Sequence, residues 1–469
     1  MDKEFERDAF GPNIWLVDEM YRRYQENPQS VGESWRDFFE DYRPPHQQRG
    51  NGAKAREAQP PQEERRVEEE PRRPERAPTP AREERPPEPE RAPVEDATPL
   101  RGIAARIAEN METSLGVPTA TSVRTIPAKL LEENRRIVNT FLSARQGGKV
   151  SYTHVIGWAV LRALLDRPAM RSSYADIDGK PHVLQRKHVN FGLAVDVERG
   201  GARTLIVPNI KSADDLDFAG FWAGYEDLIR KVRANKLEVE DFAETTVTLT
   251  NPGTVGTSQS VPRLMQGQGV IVGTGAIAYP PEYEAADPQL LARLGVSKLI
   301  TITSTYDHRV IQGAESGTFL GRVHDLLLGA DRFYDDLFAS LRIPYEPVRW
   351  SRDRGLGDDT DVYLEKQSRV IQLINMHRVR GHLLADLNPI GWEVLTHPEL
   401  DLSSYGLTVW DLDREFITDG IPGPRRQILR EIIDTLRSVY CHKVGIEYMH
   451  ISDPEQKHWI QQRVEPGPE

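Results

Sequence analysis

Residues 304–313 read Ser-Thr-Tyr-Asp-His-Arg-Val-Ile-Gln-Gly and lie between a short β-rich run and an apolar-striped segment. The run before them, 298–303, reads Lys-Leu-Ile-Thr-Ile-Thr and predicts a half-buried strand. In the segment after them, 314–328, apolar residues recur on one helical face and predict a helix. His308 therefore lies on a predicted strand-to-helix turn, from which a rigid scaffold can aim a side chain into a cleft. Histidine is the side chain best suited to move a proton near neutral pH.

A single histidine in a loop is more often a hydrogen-bonded structural residue than a catalytic one, so the neighbours of His308 decide its interpretation. The stretch resembles the Asp-His-Arg-x-x-Asp-Gly signature of the acyltransferase components of 2-oxo acid dehydrogenase complexes. The residues that match this signature are Asp307, His308, Arg309 and Gly313. Gln312 stands where the family usually has aspartate.

A second block of sequence supports the same resemblance. Residues 247–256 (Val-Thr-Leu-Thr-Asn-Pro-Gly-Thr-Val-Gly) and 268–277 (Gln-Gly-Val-Ile-Val-Gly-Thr-Gly-Ala-Ile) look like the family's strand ending in Ser/Thr-Asn, its glycine turn and its next buried strand. The resemblance implies an α/β fold with a chloramphenicol-acetyltransferase-like mixed sheet and helices. The predicted order of elements matches this family over residues 100–335.

Acyl transfer from a thioester to a thiol needs a base for the attacking thiol and a donor for the tetrahedral oxyanion. The resemblance makes His308 the base that takes the proton of the CoA thiol. It makes Thr250 the hydroxyl that stabilises the oxyanion. Taken alone, Thr250 would be an ordinary threonine at the end of a strand; its place directly before Asn251 favours the functional interpretation.

Four further residues have supporting roles in this prediction: Asp307, Arg309, Gln312 and Asn251. Asp307 and Arg309 are expected to order the turn around the histidine. In the family, the aspartate at the position of Gln312 stabilises the site through charge pairing with an arginine. Glutamine keeps a hydrogen bond but not the charge, which bears on the rate more than on the reaction.

The composition excludes several classes of function. The chain has 469 residues and a net charge of -12, which argues against nucleic acid or an anionic membrane as its main partner. Its one cysteine, Cys441, excludes an intrachain disulfide and fits a reducing compartment. No apolar run approaches the roughly 20 residues of a membrane span, and the first residues lack the pattern of a secretory signal. We expect a cytoplasmic protein.

The first 99 residues divide into two parts. Residues 1–42 predict a helical docking segment, because two aromatic stripes recur at helical spacing and two short helices cannot bury them alone. The segment also resembles the N-terminal segment of 2-oxoglutarate dehydrogenase. Residues 43–99 are rich in Pro, Glu and Arg and predict a disordered, extended linker, since they cannot bury enough surface to offset their ordering entropy.

Residues 345–469 resemble the helical beginning of the catalytic part of 2-oxoglutarate dehydrogenase. The layout of the whole chain resembles the actinobacterial fusion proteins for 2-oxoglutarate, in which an acyltransferase domain precedes the dehydrogenase domain, and it predicts a copy truncated in the dehydrogenase part. Thiamine diphosphate and magnesium are expected only in a full-length form, because their binding pattern is missing here. The apolar positions Val370, Leu373 and Ile374 are expected to lack the domain that covers them, and to make this part the least stable.

Together these features predict the transfer of a succinyl group between a dihydrolipoyl arm and CoA within a 2-oxoglutarate dehydrogenase assembly of the tricarboxylic acid cycle. The implied partners are a lipoyl-bearing acyltransferase component, which supplies the lipoyl group in trans, and dihydrolipoamide dehydrogenase. A homo-oligomer with a trimeric acyltransferase core is also implied. The alternative is a non-catalytic oligomerising scaffold for dehydrogenase units, which Gln312 and the short C-terminal part favour.

Other candidate sites are weaker. His377 and His382 are five residues apart on a helical segment, so they diverge and make a poor metal pair. Cys441 and His442 are neighbours whose side chains also diverge, so no thiolate dyad is expected. Residues 178–180 (Asp-Gly-Lys) superficially resemble a lipoyl-bearing turn but lack the paired hydrophobic strands, and predict a plain turn. No metal site is expected.

Overall fold

The computed structural model describes residues 14–42, 103–145, 147–199, 202–264, 267–353, 360–388 and 392–466. The predicted linker, 43–99, lies outside these ranges and its conformation stays a prediction. Among the described helices, none is long and apolar enough to cross a bilayer.

The described part of the chain forms a mixed α/β structure. Its helices are α1 (Ile14–Glu26), α2 (Glu33–Asp41), α3 (Ile103–Ser114), α4 (Lys129–Ala144), α5 (Tyr152–Asp166), α6 (Phe218–Ala234), α7 (Pro288–Leu294), α8 (Gly313–Leu327), α9 (Phe333–Ser340), α10 (Thr360–Arg380), α11 (Leu429–Tyr440) and α12 (Pro454–Val464). Its strands are β1 (Thr119–Pro127), β2 (Ser172–Ile177), β3 (Lys180–Gln185), β4 (Phe191–Leu193), β5 (Val195–Arg199), β6 (Ala202–Ile206), β7 (Asn209–Ile210), β8 (Val247–Thr250), β9 (Val270–Thr274), β10 (Leu299–Asp307), β11 (Glu415–Ile417) and β12 (Arg426–Ile428).

The central sheet has six strands in the order β1-β10-β9-β8-β4-β7. The pairs β9/β8 and β8/β4 are parallel, and the other pairs are antiparallel. In the part of the chain that the structure describes, three two-stranded hairpins, β2-β3, β5-β6 and β11-β12, lie outside it. The predicted mixed sheet with helices is therefore confirmed.

Strand β10 is longer than its sequence predicted. It pairs with β1 over nine residues, from Leu299 opposite Pro127 to Asp307 opposite Thr119. The predicted strand ended at Thr303, where the apolar alternation stops, but the polar residues that follow are buried by pairing with β1 and β9. Asp307 thus ends the strand, and His308 is the first residue beyond it.

Apolar helices cover one side of the sheet and form the main core. Helix α5 is buried almost all round, because nearly all of its residues from 155 to 164 are apolar, and α8 packs against it and against β1. On β10 the side chains of Ile302 and Tyr306 point into this core, at 0% and 3% exposure. His308 lies beyond the end of the strand and is exposed, so this alternation does not extend to it.

The N-terminal helices α1 and α2 dock on the body of the chain. Their buried side chains share a cluster with residues of β6, α6 and the loop after α6; the cluster comprises Leu16, Val17, Val31, Trp35, Phe39, Ile206, Val232, Val239, Phe242 and Ala243. The indole Nε1 of Trp35 donates to the carbonyl of Leu237 (3.3 Å). The aromatic stripes are thus buried against other parts of the same chain, and the role of residues 1–42 as a docking segment stays a prediction.

The expectation of uncovered apolar faces in the C-terminal part is wrong. Val370 and Ile374 are fully buried, and Leu373 is 1% exposed. Helix α11 and short 3₁₀ turns within 381–405 pack around α10, and the cluster that contains these residues is continuous with the acyltransferase-like core. The prediction failed because sequence periodicity shows that a helix face is apolar but not which later segment folds back onto it.

Candidate active site

The backbone of the turn after β10 is fixed by several hydrogen bonds. The amide of His308 donates to the carbonyl of Pro118 (2.9 Å), on the segment that enters β1. The amides of Val310 and Ile311 both donate to the carbonyl of Asp307 (3.2 and 3.0 Å). The His308 side chain is exposed, and its ring centroid lies 5.5 Å from that of Tyr306. The structure thus presents an accessible imidazole on a rigid backbone.

Asp307 and Arg309 form a compact ion pair beneath the turn. The Asp307 carboxylate is 2% exposed and accepts from the Arg309 amide (3.0 Å), Nε (2.9 Å) and Nη2 (2.6 Å). These bonds to the Asp307 carboxylate raise the pKa of the Arg309 guanidinium. Both side chains are thus engaged with each other beneath the turn, and their role in ordering it stays a prediction.

Gln312 lies at the N-cap of helix α8. The Gln312 side chain is exposed. The backbone amide of Gln312 donates to Oε2 of Glu315 (2.7 Å), which satisfies one of the unpaired backbone amides at the helix start. The position is therefore a helix cap as well as the place of the family's aspartate.

Gln312→Asp should leave acyl transfer unchanged or raise it, and should stabilise the protein by about 0.5–1 kcal/mol. Aspartate is a strong N-cap residue, and its charge interacts favourably with the helix dipole. Thioester exchange and thermal unfolding measure the two effects, with Gln312→Ala as the matched control. A large loss of transfer in the aspartate variant would mean that a carboxylate is an uncompensated charge at this position.

Thr250 ends strand β8, and the turn after it packs closely on the next strand. Asn251 donates through Nδ2 to Oγ1 of Thr153 (2.7 Å), in the first turn of α5. A Cβ at Gly253 would lie only 2.3 Å from the carbonyl carbon of Gly275, so this turn requires glycine. The Asn-Pro-Gly run at 251–253 thus packs directly on the Gly-Thr-Gly run at 273–275, and this contact fixes the end of β8.

Within one copy of the chain, Thr250 and His308 lie at opposite ends of the sheet. Thr250 pairs with Gly273, which in turn pairs with Thr303 of β10. His308 is five residues beyond Thr303. Since β10 runs antiparallel to β8 and β9, these five residues lead away from the end of the sheet where Thr250 lies. With about 3.3 Å of rise per residue and about 4.8 Å between strands, the two residues are roughly 15–20 Å apart. Asp307 and Arg309 flank His308, Gln312 caps the helix that follows, and Asn251 follows Thr250, but one copy of the chain does not bring His308 and Thr250 together.

Sequence reasoning missed the contribution of the β2-β3 hairpin to the His308 turn. The guanidinium carbon of Arg309 lies 3.7 Å from the ring centroid of Tyr174 on β2. The plain turn predicted at 178–180 is the turn of this hairpin, with positive φ at Asp178 (55°) and Gly179 (73°). An Asp-Gly pair between short alternating segments signals such a hairpin, but not what it touches.

The weaker candidates remain apart from this turn. His377 is buried, and burial lowers its pKa to about 4. Burial raises the pKa of the Cys441 thiol to about 12, so a thiolate is disfavoured at neutral pH. Among the described residues, His188, Asp214 and Asp215 could by geometry hold a metal ion; Asp214 accepts from the Val189 amide (2.7 Å) and contacts His188 Nδ1 (3.2 Å).

The chain belongs to the family of 2-oxoacid dehydrogenase acyltransferases, whose catalytic-domain model matches residues 92–333. A second model, 2-oxoglutarate dehydrogenase N-terminus, matches residues 9–46. The family resemblance drawn from the two motif blocks is thereby confirmed.

The curated relatives narrow the comparison to one kind of polypeptide. The multifunctional 2-oxoglutarate metabolism enzyme of Mycobacterium sp. (strain KMS) is 43% identical over 510 residues, which cover 97% of this chain and 40% of that protein. The enzyme of the same name from Mycolicibacterium vanbaalenii is 47% identical over 486 residues, covering 97% of this chain and 39% of that protein. The chain thus spans about two fifths of the length of these relatives.

Solved structures overlap with about half of the chain. A probable dihydrolipoamide acetyltransferase from Listeria monocytogenes superposes with a TM-score of 0.42 at 24% identity, covering 50% of this chain and 94% of that one. The dihydrolipoamide acetyltransferase of Azotobacter vinelandii gives 0.43 at 24% identity, covering 52% and 93%. A chloramphenicol acetyltransferase gives 0.29 at 16% identity, covering 47% and 94%.

Proposed function

We propose that the chain transfers a succinyl group between a dihydrolipoyl arm and CoA, with His308 as the general base and Thr250 as the oxyanion donor. The observation that carries the proposal is the turn itself: in a member of this acyltransferase family, it holds an accessible imidazole on a hydrogen-bonded backbone. The succinyl group is proposed from the relatives' connection with 2-oxoglutarate, because no residue of the site identifies the acyl chain.

The proposed reaction is a thioester exchange. His308 takes the proton of the CoA thiol, and the thiolate sulfur attacks the thioester carbonyl of the succinyl-dihydrolipoyl arm. The Thr250 hydroxyl donates to the oxygen that becomes negatively charged in the tetrahedral intermediate. When the intermediate collapses, the carbon–sulfur bond to the arm breaks, and the leaving thiolate takes the proton from the imidazolium. The products are succinyl-CoA and the free dihydrolipoyl arm.

We propose that each active site forms between two copies of the chain. A base and an oxyanion donor that serve one carbonyl must both lie within about 3 Å of reacting atoms. A separation of roughly 15–20 Å in one copy is incompatible with that requirement. A second copy can supply Thr250 next to the first copy's His308, so a homo-oligomer, with a trimeric core as the family implies, is part of the proposal.

The rest of the chain receives roles that are also proposals. Residues 1–42 are a docking segment of dehydrogenase type, 43–99 a linker, 100–335 the acyltransferase domain, and 345–469 a partial N-terminal region of 2-oxoglutarate dehydrogenase. The lipoyl arm comes from a separate acyltransferase component, and dihydrolipoamide dehydrogenase reoxidises it. We assign thiamine diphosphate and its magnesium to polypeptides of the relatives' full length, and the protein to the cytoplasm.

Thr250→Val should lower turnover by about 10²–10³ with little change in the apparent affinity for CoA. The oxyanion exists only near the transition state, so losing its donor affects turnover rather than substrate binding. Steady-state thioester exchange with succinyl-CoA and dihydrolipoamide measures both parameters. Thr254→Val, a threonine on the exposed turn that follows, is the matched control. Weaker CoA binding with turnover preserved would make Thr250 a ground-state contact.

Mixing two inactive variants tests the shared site. When His308→Ala and Thr250→Val chains are co-assembled in equal amounts, a site is intact only if it takes its histidine from one variant and its threonine from the other. In a closed ring with sites between neighbours, about one quarter of the sites then regain both groups. Recovery of about a quarter of wild-type transfer is expected. No recovery in verified mixed oligomers would contradict the shared site, and a wild-type protein without exchange would favour the non-catalytic scaffold.

A further inference from the structure

We infer that Tyr174 is a positioning residue for the proposed acyl transfer: its ring holds Arg309 in place and thereby fixes the turn that carries His308. The inference rests on the proposed function and adds the β2-β3 hairpin to the site. Tyr174 lies far from the signature in sequence and makes no described contact with His308 itself, so its role is exerted through Arg309.

The first argument is the stacking geometry. The buried Asp307 carboxylate binds the edge of the Arg309 guanidinium through Nε and Nη2, and the guanidinium carbon lies over the ring of Tyr174. The distance from the guanidinium carbon to the ring centroid, 3.7 Å, is typical of direct cation–π stacking. The ion pair and the ring contact both restrict the guanidinium, and the backbone amide of Arg309 also donates to the Asp307 carboxylate (3.0 Å). Arg309 directly follows His308, so a contact that restricts the backbone of Arg309 also restricts the backbone of His308.

The second argument is an independent backbone contact between the hairpin and the same turn. A Cβ at Gly269 would lie 1.8 Å from the carbonyl oxygen of Ser172, so the first residue of β2 packs directly on the glycine backbone. The carbonyl of Gly269 in turn accepts from the amide of Asp307 (3.0 Å). The hairpin therefore supports both the backbone before His308 and the side chain after it.

The exposure of the Arg309 side chain sets the expected loss of activity when the Tyr174 ring is removed. The Arg309 side chain is 32% exposed, so the stack is only partly desolvated and its loss should be moderate. We expect Tyr174→Leu to lower kcat by about threefold to tenfold while the KM for CoA stays the same, because a looser base affects the chemical step and not the binding of CoA. Tyr174→Phe keeps the ring face and should restore most of the wild-type kcat.

The experiment compares these variants with Val183→Ala in the full chain. Val183 pairs with Tyr174 across the hairpin and is 61% exposed, so this change perturbs the same strands and keeps both the Tyr174 ring and Arg309. Hydrogen exchange of the peptide 304–313 is the second measurement, because it does not depend on activity. Its amides at positions 308–311 are bonded within the turn or to Pro118, and Tyr174→Leu should speed their exchange by about fivefold.

Faster exchange and a lower kcat in Tyr174→Leu, with near wild-type values in Tyr174→Phe and Val183→Ala, would support the inference. Equal changes of kcat and hydrogen exchange in Tyr174→Leu and Val183→Ala would overturn the inference, because Tyr174 would then matter only for the hairpin's stability. So would a phenylalanine variant as impaired as the leucine one. Absence of acyl transfer in the wild type would refute the proposed function. An unchanged rate of hydrogen exchange at 308–311 in Tyr174→Leu would refute the positioning role.

Discussion

His308→Ala should reduce thioester exchange by about 10²–10⁴ and leave the unfolding temperature unchanged. The size is that expected for the loss of a general base. Stability should not change because the turn is held by the backbone of His308 and by the Asp307 carboxylate, and alanine keeps the amide that donates to Pro118. The exposed imidazole buries little surface that alanine would lose.

The matched control for this prediction is His182→Ala. His182 is also an exposed histidine, but it lies on β3 of the hairpin, where its ring nitrogen contacts the carbonyl of Lys180. Single-turnover exchange from succinyl-dihydrolipoamide to CoA separates chemistry from product release and is the appropriate measurement. Near wild-type exchange in His308→Ala would show that another group is the base.

The fold was predictable where a local pattern matched a local physical requirement. The β-branched run before the signature predicted β10, and the apolar stripe after it predicted α8. The end of β10 was not predictable in this way. Residues 304–307 are polar and look like a turn, yet hydroxyl pairs such as Thr121 with Thr305 (2.8 Å) satisfy them inside the sheet. Such pairing depends on a strand almost 200 residues away.

The candidate site shows the same limit. The residues around His308 were predictable because they are neighbours in sequence, and the helix cap at Gln312 follows from the turn. The separation of Thr250 from His308 was not, because it depends on β8 and β10 running in opposite directions. The stacking of Tyr174 on Arg309 was also hidden, since a hairpin turn indicates a hairpin but not the surface on which it packs.

A buried charge cluster around Asp411 holds α10 to the segment that covers it, and its loss should have the largest effect on stability. Asp411, in a 3₁₀ turn, is 0% exposed and accepts from Lys366 Nζ and Arg414 Nη1, both at 2.7 Å. Burial alone would raise the pKa of the Asp411 carboxyl, but the two cations hold it below its usual range. Arg414 also donates through Nε to the carbonyl of Ala292 in α7, so the cluster joins the C-terminal part to the acyltransferase-like core.

A second charge cluster lies two residues further on. Asp413 contacts Lys129 and Arg430, and both cations also contact Glu133 on α4. Lys129 and Glu133 are themselves buried, at 5% and 3% exposure. Residues 411–414 therefore join the C-terminal part of the chain to two helices of the acyltransferase region, α7 through Arg414 and α4 through Asp413. We expect the two parts to unfold together.

Asp411→Ala should lower the free energy of unfolding by about 3–5 kcal/mol, because it leaves the buried cations of Lys366 and Arg414 without their shared partner. Urea denaturation followed by circular dichroism measures the change. The matched control is Asp434→Ala: Asp434 is 41% exposed in its pair with Arg136, and an exposed pair contributes about 0–1 kcal/mol.

The acid dependence of this difference has a defined sign. The pKa of the Asp411 carboxyl is lower in the folded state than its unfolded value of about 3.9, so its contribution is complete above about pH 5 and is lost as the pH falls through the folded value. Wild type and Asp411→Ala should therefore converge in stability only in strong acid. A difference that instead grows toward low pH would contradict the assignment of a charged carboxylate.

The double variant Lys366→Met, Asp411→Leu separates the loss of a charge pair from the loss of packing. If the cost of Asp411→Ala comes from cations left buried without a partner, removing Lys366 together with the carboxylate should restore most of the stability, since apolar residues can replace a buried pair at little cost. Arg414 keeps Asp353 at 2.7 Å in this variant and remains paired. A double variant as unstable as Asp411→Ala, with the exposed-pair control intact, would show that the shape of Asp411 in its turn, including its bond to the Thr408 amide (2.9 Å), matters more than its charge. In that case the two parts of the chain would be joined by the backbone conformation at 408–414 rather than by electrostatics.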